Sequence, residues 1–268
     1  MKILVTGHEG FIGKNLATYL RNQGHDVRGF EWGETFYSVE REDWVIHLGA
    51  ISSTTERNVE KVLEQNLDFS IKLLEQCEKY NVNFQYASSA SVYGPSKNFK
   101  EDSPLYPQSP YAWSKYLFDR HVQTNNFKVI VQGFRYFNVY GNGEDHKGDQ
   151  ASPVTKFTKQ AKLTGEINLF ENSETYYRDF VCVEDICKIH EMFFNVKQSG
   201  IWNVGTGTPR SFREIAYAID EKEDAAIFEI SMPDNLKSQY QKYTCADLTK
   251  LNEVINIDWI DIIDWIKK

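Results

Sequence analysis

The sequence predicts an α/β fold in which helices cover both faces of a doubly wound parallel sheet and a second, smaller lobe follows. Short apolar runs alternate with amphipathic stretches along the first half of the chain, and this alternation is typical of βαβ units. A glycine-rich turn lies between the first apolar run and the first amphipathic stretch. The 268 residues, of which 41% are apolar and 14% aromatic, suffice for a large core.

The elements of the large sheet are predicted in order from these periods. Strands are expected at residues 3–6, 26–30, 44–48, 84–87 and 128–134. Between them, apolar positions at helical spacing predict one helix that ends near Gly24, a second over 59–80, and a third from Pro110 to about Gln123. Ser109 and Pro110 are typical of a helix N-cap and a first helical residue.

Beyond Gly141 the regular alternation weakens, and this predicts the smaller lobe. A helix near residues 153–163 and a strand at 167–170 are expected there, and the chain is expected to return to the large sheet at 180–183. The predicted sheet domain comprises residues 1–145 and about 179–204, and the smaller lobe comprises about 146–178 and 205–268. No repeat or linker separates the lobes, so we expect them to interleave.

Charge and composition exclude several classes of protein. Thirty Lys and Arg against 38 Asp and Glu give a net charge of -8, without the basic stripe that binds nucleic acid or anionic membranes. No apolar run reaches the roughly 20 residues of a membrane span, and the first strand is not preceded by a signal-peptide pattern. The four cysteines lack metal-ligand spacing, so we expect reduced thiols, no metal site and a cytoplasmic location.

Gly7, Gly10 and Gly13 form the glycine-rich turn, where bare backbone lets a pyrophosphate approach the N–H groups at the start of a helix. A tight turn with close helix packing is the plain structural alternative. Glu31 ends the second strand, 18 residues after Gly13, where a carboxylate accepts hydrogen bonds from ribose hydroxyls and repels a 2′-phosphate. The sequence therefore predicts bound NAD or NADP, with NAD favoured. Trp32 is expected either on the adenine face or as an ordinary packed or surface tryptophan.

Tyr111 and Lys115 are the predicted catalytic pair. They stand four residues apart on a predicted helix, so both side chains project from one face. A nearby ammonium and a positively charged nicotinamide favour the tyrosinate, which turns a phenol of pKa about 10 into a usable base. The same spacing also occurs by chance on solvated helix faces. Ser89 lies just beyond a buried strand and supports the catalytic interpretation, because its hydroxyl can hold the reacting oxygen beside Tyr111.

The sequence resembles the extended short-chain dehydrogenase/reductases that act on nucleotide sugars, a family with a Rossmann-type fold. The glycine turn, the segment 87–94 (ASSASVYG) and the YxxxK pair carry this resemblance. Within the family, the chain is similar to the ADP-L-glycero-D-manno-heptose 6-epimerases. That similarity rests on 133–141 (GFRYFNVYG) followed by 146–148 (HKG), and on the shorter segments 52–56, 169–171 with Ser173, 178–181 and 240–241. The HKG segment is fairly specific to those epimerases.

The resemblance implies an internal redox cycle without net oxidation. The heptose C6 alcohol is oxidised by hydride transfer to the nicotinamide, a transient ketone forms, and the hydride returns to the opposite face. Acid/base groups are then needed on both sides of the carbon, and the resemblance assigns Tyr111 to one side and Lys147 to the other. It also implies that Ser89 orients the oxygen and that Lys115 holds the nicotinamide ribose. A solvated loop lysine is the alternative for Lys147.

The resemblance further assigns residues to the two ligands, although ordinary packing would also account for several of them. Around the cofactor it implies, besides the residues above, Phe11, Ile12, Leu48, Gly49, Ala50, Ser52, Gln65, Asn66 and Val139. Around the substrate it implies Ser89, Asn138, Asp149, Lys156, Phe170, Glu171, Asn172, Ser173, Arg178 and Tyr240. Arg178 is the expected phosphate contact because a guanidinium binds phosphate in a fixed fork. Phe170 is expected to stack on the base.

The chain departs from the family in two respects. Only 13 residues, 31–43, separate the second strand from the next one, and a helical crossover alone takes at least about 10 to 12 residues. Family members place a further strand and helices here, so one βα unit is expected to be missing at the sheet edge, together with the basic residues that would meet a 2′-phosphate. Lys156 stands where the epimerases generally have a histidine, and Asp149 replaces a small hydroxyl residue. The sequence therefore defines the reaction type better than the sugar.

A 4-epimerase of a UDP- or GDP-hexose is the runner-up interpretation, and another nucleotide-sugar reductase or dehydratase stays open. A 4,6-dehydratase is disfavoured because Ala90 and Ser91 stand where those enzymes have an Asp-Glu pair. From a different class, a nucleotide-binding sensor without turnover would keep the fold but would not need Ser89, Tyr111 and Lys115 together. The expected partners are a nucleotide sugar and, by resemblance, further copies of the chain, with no nucleic acid and no membrane.

Overall fold

A computed structural model describes residues 1–36, 38–234 and 241–268, without the side chains of residues 145, 146 and 149. The strands in these residues are β1 (Lys2–Thr6), β2 (Asp26–Phe30), β3 (Trp44–His47), β4 (Asn83–Ser89), β5 (Val131–Tyr136), β6 (Asn138–Tyr140), β7 (Glu166–Phe170), β8 (Tyr177–Arg178), β9 (Phe180–Cys182), β10 (Gly200–Val204), β11 (Arg210–Ser211) and β12 (Ala226–Ile230). The α-helices are α1 (Phe11–Asn22), α2 (Val59–Leu63), α3 (Phe69–Tyr80), α4 (Pro110–Thr124), α5 (Pro153–Thr164), α6 (Val183–Met192), α7 (Phe212–Glu223), α8 (Thr249–Asn252) and α9 (Ile262–Lys267). None of the described helices is long and apolar enough to cross a membrane.

Six parallel strands form the central sheet in the order β10-β5-β4-β3-β1-β2, which confirms the predicted fold class. Strand β1 pairs with β2 on one side and with β3 on the other. Strands β4 and β5 pair with Ser89 opposite Tyr136. Because all six strands run in one direction, the carboxyl ends of β1, β3 and β4 open at the same edge of the sheet. Ligands of open parallel sheets bind at that edge.

Strand β2 is the outermost strand of the sheet on its side. Residues 31–36 and 38–43 contain no strand and no helix, and they lead from β2 directly to β3. Over these described residues, the predicted absence of a βα unit is confirmed. The Arg28 guanidinium holds this connection against β2, because it donates to the Ser38 carbonyl oxygen (2.7 Å) and to the Glu42 carboxylate (3.1 Å).

Side chains alternate along β1 and show how both faces of the sheet are covered. Ile3 and Val5 pack with Leu16 of α1 and Cys187 of α6 on one face. Leu4 packs on the other face, in a core that includes Leu73 of α3 and residues of α4. Successive residues of a strand point to opposite faces, so a sheet with helices on both sides needs a continuous apolar run. Residues 3–5 of β1 form a continuous apolar run of this kind.

A second hydrophobic core lies in the C-terminal part of the chain. Strands β7 and β12 pair in parallel, and Ile167 of β7 is fully buried in that core. Val154 of α5, Ile215 of α7 and Ile262 of α9 pack into the same cluster. The strand predicted at 167–170 and the helix predicted at 153–163 are both present and supply part of this core.

The prediction that the chain returns to the large sheet at residues 180–183 is wrong. Strand β9 pairs in parallel with β6 in a separate two-stranded sheet, with Asn138 opposite Phe180. The strand that completes the large sheet is β10, which pairs with β5. A short apolar run shows that a strand is buried but not which neighbour it pairs with. Phe180 and Cys182 are fully buried in the second core, and that burial satisfies the sequence pattern equally well.

The helix predicted over 59–80 contains a break in its hydrogen-bonding pattern. Residues Glu64–Asp68 form a π-helical turn between α2 and α3, and the Phe69 N–H bonds to the Glu64 carbonyl oxygen. A π turn adds a residue to one turn of helix and so changes which side chains face the sheet, and such turns are frequent at functional sites. Apolar periodicity continued through this turn, so the sequence did not indicate it.

A buried ion pair joins β5 to α4. Arg135 and Asp119 are both 0% exposed, and the Arg135 Nε donates to the Asp119 carboxylate at 2.9 Å. The same guanidinium donates to the Tyr93 hydroxyl (3.0 Å) and to the Glu101 carbonyl oxygen (3.1 Å). The Tyr86 hydroxyl donates to the other oxygen of Asp119 (3.0 Å). These bonds attach α4 and the segment after β4 to the middle of the sheet.

Replacement of Arg135 by methionine is expected to lower the free energy of unfolding by about 3 to 5 kcal/mol, because it leaves the Asp119 carboxylate buried without its cation. Urea unfolding followed by circular dichroism measures this loss. Lys162→Met is the control, since it removes an exposed ion pair with Glu223 and is expected to change stability by less than about 1 kcal/mol. Equal losses in the two variants would contradict the role assigned to the buried pair.

Candidate active site

The turn between β1 and α1 is built for close approach of a ligand to the backbone. Gly7 has a φ of +70°, and its N–H bonds to the Phe30 carbonyl oxygen (2.9 Å). A Cβ on Gly13 would lie 1.9 Å from the Gly7 carbonyl oxygen, so a larger residue cannot be accommodated without moving the turn. Gly10 is the N-cap of α1 and supplies no side-chain cap. The N–H groups of the first helical turn therefore face this space, which fits a dinucleotide pyrophosphate.

Beside this turn, a pocket brings together six of the predicted cofactor residues. Its lining contains Gly7, Glu31, Trp32, Gly49, Ala50 and Gln65, together with Thr6, Phe30, Ile51 and Phe69. Ile51 and Phe69 were not among the predicted site residues. Phe69 lies one helical turn after Gln65, and that spacing could have indicated it. The Trp32 and Phe69 rings are nearly perpendicular, with their centres 5.4 Å apart.

Glu31 lies at the end of β2 with one carboxylate oxygen already bonded. The Glu9 N–H donates to its Oε1 at 2.7 Å, and the His8 Nδ1 lies 3.2 Å from the same atom. A Cβ on Gly29 would fall 2.2 Å from the His8 ring, so this glycine makes room for the histidine. The structure thus holds the carboxylate beside the glycine turn, where the sequence analysis expects the adenosine ribose.

Asn66 lies behind the loop that follows β3, and it is 1% exposed. Its amide oxygen accepts the Ile51 N–H (2.8 Å), and its amide nitrogen donates to the Ile51 carbonyl oxygen (3.0 Å) and to the Ser114 hydroxyl (3.1 Å). The Ser114 hydroxyl donates in turn to the Tyr111 carbonyl oxygen (2.7 Å). The π-helical turn carries Asn66 and so connects the predicted cofactor loop to α4.

His47, at the end of β3, is a site residue that the sequence analysis missed. Its Nδ1 is 2.6 Å from the Thr6 hydroxyl, and its Nε2 is 2.7 Å from the Ser70 hydroxyl. Because Ser70 donates its proton to the Asn66 carbonyl oxygen (2.6 Å), the imidazole must carry its proton on Nε2. Burial, with a smaller effect of the nearby Lys115 charge, lowers the pKa of His47 to about 3. No sequence pattern indicated these two contacts, because Ser70 and Thr6 lie 23 and 41 residues away in the chain.

Helix α4 brings Tyr111 and Lys115 together beside Ser89. The Ser109 side chain caps the helix by accepting the Ala112 N–H (3.2 Å), as predicted from the sequence. The Lys115 ammonium donates to the Ala87 carbonyl oxygen (2.8 Å) and lies 6.0 Å from the centre of the Tyr111 ring. The Ser89 side chain lies close enough to Tyr111 to lower the pKa of its phenol. The structure thus places all three predicted catalytic groups at the carboxyl end of β4.

The protein environment shifts the pKa values of the two predicted catalytic groups in opposite directions. Burial raises the pKa of Tyr111, and the hydrogen bond from Ser89 partly offsets that rise. Burial lowers the pKa of Lys115 to about 8, and the Asp119 charge opposes this effect. Tyr111 is therefore a phenol at neutral pH in the protein alone, so its use as a base requires further positive charge near its oxygen.

Lys147 lies beside the start of α1 in the structure. Its Nζ is 3.3 Å from the Glu144 carboxylate and 5.1 Å from the centre of the Phe11 ring. The loop that precedes it is tied to α1, since the Asn15 amide donates to the Asn142 carbonyl oxygen (3.0 Å). Lys147 is thus held by specific contacts at the same end of the molecule as the glycine turn. A freely solvated loop lysine would not show these contacts.

The predicted substrate residues of the second lobe cluster after β7. Phe170 ends that strand, the Glu171 N–H donates to the Ile230 carbonyl oxygen (3.0 Å), and Asn172 has a left-handed φ of 61°. Ser173 is 1% exposed, and its hydroxyl has no hydrogen-bond partner within the described residues. A buried hydroxyl of this kind is rare in folded proteins. A polar ligand bound next to Ser173 would supply the hydrogen-bond partner that this hydroxyl lacks among the described residues.

Arg178 lies on β8, next to a buried carboxylate that organises the surrounding loops. Its Nη1 donates to the Tyr177 carbonyl oxygen (2.9 Å), and its guanidinium lies 5.4 Å from the centre of the Phe212 ring. Asp179 is fully buried and accepts the N–H groups of Thr206 (2.7 Å), Gly207 (2.9 Å) and Ala246 (2.8 Å). These bonds draw two distant segments, at 206–207 and at 246, to Asp179, the neighbour of Arg178.

Among the described residues, the remaining predicted ones make no contact that bears on the roles predicted for them. Ile12, Leu48 and Val139 are partly buried and pack against a core cluster, and Ser52, Asn138 and Lys156 are exposed. Tyr240 lies outside the described residues, as does the side chain of Asp149. Within the part of the chain that the structure describes, no group of three or more His, Cys, Asp and Glu side chains could hold a metal ion.

Comparison with known proteins relates this arrangement to a family. The pattern of the NAD dependent epimerase/dehydratase family matches residues 3–43 and 31–205, and the two matches overlap in the connection between β2 and β3. An ADP-L-glycero-D-manno-heptose-6-epimerase from Brachyspira hyodysenteriae is 37% identical over 286 aligned positions, which cover 93% of this chain and 90% of that protein.

Solved structures show the same architecture. The Helicobacter pylori ADP-L-glycero-D-manno-heptose-6-epimerase superposes with a TM-score of 0.84 at 28% identity, over 94% of this chain and 89% of that chain. The Thermus thermophilus UDP-glucose 4-epimerase, solved in complex with NAD, superposes with a TM-score of 0.82 at 25% identity, over 100% of this chain and 97% of that chain.

The lowered pKa of Lys115 predicts a stability that depends on pH. Between about pH 8 and about pH 10.4 the unfolded chain holds a proton that the folded chain has lost, so folding becomes more favourable as pH rises through this window. Lys115→Met removes this dependence. The difference in free energy of unfolding between variant and wild type should therefore change by about 2 to 3 kcal/mol from pH 7 to pH 10, in favour of the wild type. Urea titrations of both proteins without ligand measure it, and a constant difference would contradict the burial effect.

Proposed function

The chain belongs to the NAD dependent epimerase/dehydratase family, and we propose that it is a nucleotide-sugar epimerase that inverts C6 of ADP-glycero-manno-heptose. The observation that carries the proposal is the grouping of Ser89, Tyr111 and Lys115 at the carboxyl end of β4. The relative from Brachyspira hyodysenteriae, whose name states this activity, supports the choice of sugar at 37% identity.

The chain's own residues suit a reaction on two sides of one carbon. When bound, a nicotinamide dinucleotide supplies a ring that accepts a hydride from the substrate alcohol and returns it to the opposite face of the ketone. The Ser89 hydroxyl orients the reacting oxygen, and Tyr111 takes its proton on one side. Lys147 donates the proton to the oxygen on the other side. Lys115 binds the ribose next to the reacting ring and supplies positive charge close to Tyr111.

The proposed cofactor is NAD rather than NADP. The glycine turn, the uncapped start of α1 and the pocket beside Glu31 fit a dinucleotide. The Glu31 carboxylate suits ribose hydroxyls and repels a 2′-phosphate. Residues 32–39 contain no Lys or Arg, and the guanidinium of the neighbouring Arg28 is bonded to Glu42 and Ser38. Both features support discrimination against the extra phosphate.

The substrate diphosphate is proposed to bind at Arg178 and Ser173, with Phe170 stacking on the base. Arg178 offers a guanidinium, and Ser173 offers a buried hydroxyl that needs a partner. The exposed Asn138, next to β9, and the segment 171–172 complete the proposed pocket. An acidic chain of net charge -8 needs such local donors to bind an anionic ligand.

A UDP-hexose 4-epimerase is the second candidate. The Thermus thermophilus UDP-glucose 4-epimerase superposes almost as well as the heptose epimerase structure, with TM-scores of 0.82 and 0.84. Lys156 is exposed at the first turn of α5, where the heptose epimerases generally have a histidine. A 4-epimerase would need Tyr111 but not Lys147, so these residues separate the two candidates.

The cysteines support a cytoplasmic location as part of the proposal. All four cysteines are free thiols, and three of them are buried, which suits a reducing compartment such as the cytoplasm. The resemblance supports assembly of several copies of the chain. Light scattering of the purified protein measures this assembly.

The substrate is tested by incubating purified protein with ADP-D-glycero-D-manno-heptose and following the C6 stereocentre by proton NMR. Interconversion of the two epimers is expected. Parallel incubations contain UDP-glucose and GDP-mannose at the same enzyme concentration. Conversion of a hexose without conversion of the heptose would reject the heptose epimerase activity in favour of the hexose 4-epimerase activity.

Tyr111→Phe is expected to lower kcat by at least about 1,000-fold, because the substrate proton then has no base on that side. The dinucleotide should still bind with an affinity within about 3-fold of wild type, since the phenol makes a small part of that contact surface. Turnover measured by the NMR assay and binding measured by calorimetry give the two numbers. Retained turnover would refute the assignment of the base.

Titration of the ligand-free protein with each dinucleotide tests the cofactor preference. NAD is expected to bind at least about 10-fold more tightly than NADP, because like-charge juxtaposition at Glu31 disfavours the 2′-phosphate. Glu31→Gln should reduce the difference in affinity between NAD and NADP, chiefly because NADP then binds more tightly. Tighter binding of NADP to the wild type would overturn the preference.

A further inference from the structure

Glu144, between β6 and α5, carries a buried carboxylate with an unusual set of partners. Its side chain is 0% exposed. Its two oxygens accept the Ser152 N–H (3.1 Å), the Ser152 hydroxyl (2.5 Å) and the Thr155 hydroxyl (2.8 Å), and one of them lies 3.3 Å from the Lys147 ammonium. Four donors around one buried carboxylate offset the cost of removing it from water.

The first three of these bonds attach the carboxylate to a rigid element. Ser152 is the N-cap of α5, a helix of 12 residues, and Thr155 lies in its first turn. A carboxylate at this place is favoured by the N-H groups and the partial positive charge at a helix N-terminus. Ser152 already caps the helix with its own hydroxyl, which accepts the Thr155 N–H (3.4 Å). The helix therefore does not need Glu144 as its cap.

The fourth contact directs Lys147 toward the glycine turn. With one side of its ammonium on Glu144, Lys147 lies over the ring of Phe11, the first residue of α1. The amide of Asn15 holds the preceding loop to the same helix. Glu144 thus links the start of α5 to a lysine at the start of α1. Lys147 itself lies in a short 3-10 helix, Asp145–Gln150, which is interrupted at Gly148.

We propose that Glu144 is a positioning residue that holds the Lys147 ammonium in place for proton transfer to the substrate oxygen. The inference rests on the proposed function, because it takes Lys147 as the acid on the second side of the reacting carbon. Glu144 is fully buried and is not among the residues proposed to contact substrate or cofactor. It acts by fixing where the ammonium lies, and misplacement of a catalytic group by about 1 Å costs on the order of 100-fold in rate.

The chain offers a matched control for this pair. Asp185 and Lys188 of α6 are also three residues apart, with a nitrogen-oxygen distance of 2.8 Å. The carboxylates of both pairs are 0% exposed, and the lysines are partly exposed, at 25% for Lys147 and 40% for Lys188. Asp185 also accepts a backbone N–H, from Ile260 (2.8 Å), but no predicted site residue lies in α6. Asp185→Asn therefore reports the effect of neutralising a buried paired carboxylate elsewhere in the fold.

The test compares Glu144→Gln, Asp185→Asn and Lys147→Met in the holoenzyme, by the NMR assay with the nucleotide sugar that the wild type converts. Glu144→Gln is expected to lower kcat by about 10- to 100-fold while KM changes by less than about 3-fold. Asp185→Asn should leave kcat within about 3-fold of wild type, although both variants lose stability. The double variant Glu144→Gln with Lys147→Met should be no slower than Lys147→Met alone, because both changes remove one function.

Unchanged kcat in Glu144→Gln, or a further loss in the double variant equal to the loss in the single one, would overturn the inference while leaving the proposed function intact. A fully active Lys147→Met together with an inactive Tyr111→Phe would instead remove Lys147 from the proposed mechanism, and the inference with it. If Glu144→Gln does not fold, Glu144→Asp keeps the charge but shortens the reach, and the same pattern with a smaller loss of kcat is expected.

A second measurement does not depend on turnover. Acetylation of lysines by acetic anhydride in the intact protein, quantified by mass spectrometry, reports how firmly the Lys147 amine is held. Glu144→Gln should speed acetylation of Lys147 by about 5-fold or more, because the amine then loses its charge-assisted contact with the carboxylate. It should leave the rate at the exposed Lys162 unchanged. Equal rates at Lys147 in wild type and variant would show that Glu144 does not hold it.

Discussion

The buried ion pair between Arg135 and Asp119 is the interaction on which the proposed active site depends. It holds helix α4 to β5, and α4 carries Tyr111 and Lys115 on the face that leads to Asp119. Two cations, Lys115 and Arg135, lie near this single buried carboxylate, and its charge opposes the loss of the Lys115 proton. Arg135 also bonds Tyr93, which follows Ser89 in the chain, so one residue of the sheet orders both halves of the catalytic group. A buried charge with its partner removed is costly, so this arrangement leaves the catalytic helix little freedom to shift.

The proposed cofactor side of the site is ordered by a network of hydrogen bonds behind the glycine turn. The glycine turn presents N–H groups directly, and side chains of the neighbouring elements act behind it. Asn66 in the π-helical turn connects the Ile51 backbone to Ser114, while His47 connects Thr6 to Ser70. Every proton in this network has a defined acceptor, and all of its side chains are buried. The loop that would flank a dinucleotide is thereby held at a set distance from the helix that carries the proposed base.

The missing βα unit does not disturb this arrangement because of where it is missing. Strand β2 lies at the edge of the sheet, whereas β4 and β5, which support the catalytic residues, lie in its interior. Loss of a unit outside β2 removes surface beside the adenosine end and leaves the central ladders unchanged. Arg178 lies on β8, outside the large sheet, and is the proposed donor for the substrate anion. Its neighbour Asp179 accepts N–H groups from Thr206 and Ala246 and so draws two loops together beside it. A shorter chain can therefore keep the reaction while changing how it contacts the adenosine.

The sequence by itself determined the features that depend on residues close together in the chain. The glycine turn, the Ser109 cap and the spacing of Tyr111 and Lys115 are local, and the 13 residues between β2 and β3 left no room for another crossover. The parallel sheet could be predicted for the same reason, since the apolar pattern that indicates each buried strand is contained within a few consecutive residues. The partner of β9, the π turn at 64–68, the buried His47 and the four donors around Glu144 were decided by the tertiary structure alone. The partner of β9 is a choice between equally apolar surfaces, and the partners of His47 lie 23 and 41 residues away in the chain. The donors around Glu144 are only 3 to 11 residues away, but they meet at one carboxylate through the conformation of the segment between β6 and α5, which no local pattern indicates.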